Sequence, residues 1–79
     1  MSNNRSSSIN DKISKTQLRL QMEAIRRAYL QELREIDKLD FDRLPAALKA
    51  YFESVRRGRW QAVRAIERAY KLKPAKKTK

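Results

Sequence analysis

Seventy-nine residues form one small domain at most, with no cysteine or histidine and with twenty Lys and Arg against nine Asp and Glu, a formal net charge of +11. Disulfide staples are excluded, and so are the usual zinc ligands and any nucleophile–base pair built on Cys or His, so no enzyme, metal or cofactor is expected. No uncharged run approaches the ~18 residues of a membrane span, and the lack of thiols suits a reducing compartment. The expectation is therefore a cytoplasmic or nucleoid-associated protein.

Residues 1–13 are rich in Ser and Asn and read as a flexible polar arm, without the apolar stretch of a secretory leader. Ser14 then opens a helix: Gln17 stands three residues on as its capping-box partner, and Ile13 can staple to Leu18 across the cap. The predicted helix runs from Lys15 to Lys38. At ~100° per residue, Leu18, Met22, Ile25, Ala28, Tyr29, Leu33, Ile36 and Leu39 share one face, with Glu23, Arg27, Arg34 and Lys38 opposite. Leu20, Ala24 and Leu30 fall off that face and mark an expected dimer interface.

The run from Leu39 to Pro45 reads as a turn, with Asp42 placed to cap a second helix and Pro45 in its first turn. That helix is predicted to reach Leu72, before Pro74 and a disordered Lys-rich tail at 74–79. Its apolar face comprises Leu44, Leu48, Tyr51, Phe52, Val55, Ala62, Val63, Ile66, Ala69 and Tyr70. A short connection between two long helices predicts an antiparallel hairpin over 14–73. Gly58 raises the alternative of a kink or break giving three helices, and Arg59 intrudes on the apolar stripe unless it snorkels out along its stem. The apolar phase is the same on both sides of Gly58, which favours continuity. A single core of this size supplies only ~3–5 kcal/mol, so two hairpins are expected to pair into a helical bundle.

Charge is divided unevenly. Between Leu18 and Asp40 five bases and five acids cancel, whereas 56–79 holds ten bases and one acid, Glu67, a local charge of +9. A polyanion is the natural partner of such a field, because each neutralised phosphate releases a condensed counterion. Arg57, Arg64, Arg68 and Lys71 align on one side of the second helix, Arg56 and Arg59 flank them, and Lys73, Lys76, Lys77 and Lys79 continue beyond. Guanidinium groups at helical spacing can follow a phosphate backbone. Trp60, at the edge of the stripe, is either a boundary core residue or a platform for base stacking. By contrast, the acids Glu32, Glu35, Asp37 and Asp40 near the end of the first helix read as solvated charges beside basic neighbours.

The sequence thus predicts a small DNA-binding accessory or regulatory factor, with DNA preferred over RNA. An RNA-binding arginine-rich helix and a protein adaptor docking through the first helix are the alternatives. Binding to an anionic membrane surface is weaker, because Arg59 interrupts the face that would insert. The sequence argues against a helix-turn-helix centred on Gly58, since Arg64 and Glu67 occupy positions where its second helix should pack.

Overall fold

A computed structural model describes residues 14–77. These form two α-helices, α1 (Lys15–Asp37) and α2 (Ala46–Tyr70), joined by one turn of 3-10 helix at Phe41–Arg43, and α1 packs against α2 as a helical hairpin. No strand is present among the described residues. The N-terminal arm, with Ile13 and its proposed staple, and Lys79 lie outside the described residues.

Helix α1 begins as its local sequence dictates. The Ser14 hydroxyl accepts from the Gln17 backbone N–H at 3.1 Å, and the Gln17 side chain accepts from the Ser14 N–H at 3.3 Å, so two donors that the helix cannot satisfy are both engaged. The start of α2 differs from expectation. Asp42 lies in the 3-10 turn and caps nothing, while Pro45 occupies the cap position and its carbonyl accepts from Leu48 and Lys49. The reason is the proline itself. It forces the preceding residue out of the helical region, and Leu44 is extended at φ −81° and ψ 143°, so the helix cannot start earlier.

A single unbroken α2 passes through Gly58, with open space where a Cβ would stand. The helix ends two residues short of the expected Leu72. Lys71 turns into the left-handed region at φ 55°, and its N–H and that of Leu72 both reach the Glu67 carbonyl.

The dry core is short: among the described residues only Leu33 and Ile36 of α1 and Val63 of α2 are buried apolar side chains. Farther along, Leu18 and Ile25 of α1 and Leu48 and Tyr51 of α2 remain exposed although they sit on the apolar faces. The Cα trace is only 15 Å through its thinnest direction, so no further layer of described residues covers those side chains. Of the three residues expected to make a dimer interface, Leu20 and Ala24 are exposed and Leu30 is half-buried.

Candidate nucleic-acid interface

The arginines of the basic segment divide according to what α1 and the turn offer them. Arg59 faces α1, where its guanidinium is hydrogen-bonded and ion-paired to Glu32 and lies 4.7 Å from the centre of the Tyr29 ring. The hydrogen bond that Arg59 donates to Glu32 pushes the already very basic guanidinium still higher, so Arg59 carries its charge at every accessible pH. Arg56 reaches the turn, over the Phe41 ring at 4.9 Å and 3.7 Å from Asp37. The intrusion of Arg59 into the apolar stripe is thereby resolved by a partner inside the fold.

Glu67 organises a third group. It is 4 % exposed and is the only acid between 56 and 79. Arg26 of α1 donates to it at 2.6 Å, Arg64 of its own helix at 2.7 Å and the Ala75 backbone N–H at 2.9 Å. Burial alone would raise the Glu67 carboxyl, but the Ala75 N–H and the two guanidinium groups outweigh it and hold the pKa below the usual glutamate range. Arg26 also donates to the Lys73 carbonyl at 2.9 Å. One carboxylate thus ties together α1, α2 and the segment after Lys71. The turn at Lys71 brings Ala75, in the tail segment after Pro74, back to Glu67, where its N–H finds a buried acceptor.

That return builds a groove of about 580 Å³ on the side of α2 away from α1. Arg56, Arg57, Arg64 and Arg68 line it together with Trp60 and Gln61 from the helix, and Lys77 comes from the returning tail. Glu53 is the single acid at its edge. Trp60 is half-buried, with the Arg64 guanidinium 4.8 Å and the Lys77 ammonium 5.4 Å from its ring centre. Arg57 and Arg68 are exposed and make no ion pair with any described residue.

Of the residues the sequence singled out, the structure therefore gathers Arg56, Arg57, Trp60, Arg64, Arg68 and Lys77. Arg59 lies apart, against α1. Lys71 lines a neighbouring hollow with Leu72 and Pro74. Lys73 and Lys76 are exposed on the tail. Glu67 and Arg26 were not anticipated as partners, and the one signal available was an isolated acid within a run of ten bases.

Comparison with protein-family models, with curated proteins and with solved structures finds no match. Among the described residues, no helix is long and apolar enough to cross a membrane.

Proposed function

We propose that this chain binds nucleic acid through the outward side of α2 and the returning tail, acting as a small accessory or regulatory factor. The observation that carries the proposal is the convergence of four arginines and Lys77 on one open groove, while Arg59, on the side facing α1, is paired with Glu32. Arg56 and Arg64 are paired with Asp37 and Glu67, whereas Arg57, Arg68 and Lys77 make no ion pair with any described residue; such open cations attract phosphates, and the binding weakens steeply with salt as counterions are reclaimed. Phosphate contacts dominate and DNA is the first partner to test, with RNA second. The test is a titration of duplex DNA, single-stranded DNA and an RNA hairpin at two salt concentrations. Salt-sensitive binding to at least one is expected, and absence of binding to all three overturns the proposal in favour of a protein adaptor working through α1.

The binding species is proposed to be a homodimer. Three buried apolar side chains among the described residues are few for an independent fold, and no described residue covers Leu18, Leu20, Ile25, Leu48 and Tyr51, which stay exposed on the hairpin. Pairing two hairpins would cover apolar surface and bring two basic grooves into one particle. Sedimentation equilibrium at micromolar concentration should give twice the chain mass of 9.4 kDa. A cooperatively melting monomer at that concentration would overturn this part.

A further inference from the structure

We infer that the Trp60 groove takes an unpaired nucleotide, so that single-stranded nucleic acid is bound in preference to duplex. The inference rests on the nucleic-acid reading and narrows it to a form of the ligand. A surface that only follows a duplex backbone needs a row of cations. Here the cations surround a hollow of about 580 Å³ that also contains an indole, a volume within the ~300–1,000 Å³ range of pockets that hold small ligands.

The contacts on the indole differ in permanence. Arg64 is fixed, because Glu67 holds its guanidinium at 2.7 Å while the same group lies over the Trp60 ring. Lys77 is exposed, makes no ion pair with a described residue and rests on the ring by its ammonium alone. An exposed cation–π contact of that kind is weaker than the stacking of a base on an aromatic ring. An incoming base therefore displaces the Lys77 ammonium from the indole, and the ammonium moves to a flanking phosphate. Arg57 and Arg68, both exposed and without an ion pair to any described residue, take the phosphates on the helix side. Gln61, exposed in the same groove, offers an amide to the base edge. A base inside a duplex presents no free face and cannot occupy this position without leaving its stack.

Trp60 is the only tryptophan, so its emission reports this site and no other. The full chain is titrated with single strands of about ten nucleotides, as separate DNA and RNA arms, with a duplex of equal length, and with inorganic polyphosphate. Emission is followed alongside the anisotropy of a label on the nucleic acid. The expected result is saturable quenching by single strands that tracks binding, with duplex and polyphosphate binding more weakly and without quenching. Quenching in either the DNA or the RNA arm supports the inference. Trp60→Ala should lose about tenfold in single-strand affinity, with Trp60→Phe recovering part of the loss. Because the quenching is read on the unaltered protein, a poorly folded variant does not decide the matter. Single-strand binding without quenching, or equal affinity for duplex, overturns the unpaired-nucleotide site while leaving phosphate binding intact. Failure of every probe to bind overturns the nucleic-acid reading as well.

Discussion

The two long sides of α2 carry similar arginines under different circumstances. On the side facing α1, Arg59 meets Glu32 and Tyr29. On the opposite side Arg57 and Arg68 meet no described carboxylate and stand open to solvent. The first helix decides which arginines belong to the architecture and which remain available to a ligand. An arginine's position in a basic run is therefore a poor guide to its role, and its distance from an acid on the neighbouring helix is a better one. Arg64 lies between the two cases, since Glu67 holds it while its guanidinium still lines the groove.

The largest expected effect comes from removing the group on which the two sides depend. Glu67→Ala leaves Arg26, whose side chain is 20 % exposed, without its carboxylate and frees the Ala75 N–H. Breaking a buried pair by deleting one partner costs about 3 kcal/mol, comparable with the whole stability of a single core of this size. Thermal melting followed by circular dichroism should show the variant largely unfolded at 37 °C. A near-native midpoint would mean that the three-way contact contributes little. The depressed Glu67 pKa adds a signed pH dependence. Its share of stability is complete above the ordinary glutamate range and is lost as the pH falls through the lower native value, so the midpoint should drop below about pH 4. Glu67→Gln keeps the volume and should destabilise less than Ala, with a smaller drop on acidification.

How much of this was legible depends on the sequence separation of the partners. The Ser14 capping box joins residues three apart, and helical periodicity placed Leu33, Ile36 and Val63 on facing stripes, so the hairpin and its core could be read directly. The cap of α2 was misplaced because two local signals competed, and the restriction Pro45 imposes on Leu44 overrode the capping preference of Asp42. The clustering of Arg57, Trp60, Arg64 and Arg68 was visible from their spacing on one helix. Arg59 with Glu32, Arg26 with Glu67 and Lys77 over Trp60 were not, since these pairs lie far apart in the chain and depend on the register of the hairpin and the path of the tail.

A smaller effect sharpens the contrast from the inward side. Replacing Arg59 by Leu should leave nucleic-acid affinity within about twofold, as expected for a residue outside the groove. Anisotropy measured against the unaltered protein would check this, and a large loss of binding would mean that the inward arginine also reaches ligand. The smallest expected change is at Gly58, where nothing lies within 4 Å of an added Cβ. Gly58→Ala should stabilise α2 by about 0.5–1 kcal/mol through helix propensity and a less flexible unfolded chain, raising the melting midpoint. A fall in midpoint would show that the glycine serves a conformation or contact absent from this hairpin.

The central claim is that the outward arginines are the ones that meet phosphate, and the slope of log affinity against log salt tests it most directly. Arg57→Gln combined with Arg68→Gln should leave the melting curve within about 0.5 kcal/mol per site, because both side chains are exposed. Each lost phosphate contact lowers the slope by about 0.7 on single strands and about 0.9 on duplex DNA, so the double variant should bind more weakly with a slope reduced by roughly 1.4 to 1.8. Arg59→Gln, measured beside it, should keep the original slope. If the outward double variant retains the full slope, or the Arg59 variant loses as much of it, the two sides of α2 are not divided between fold and ligand.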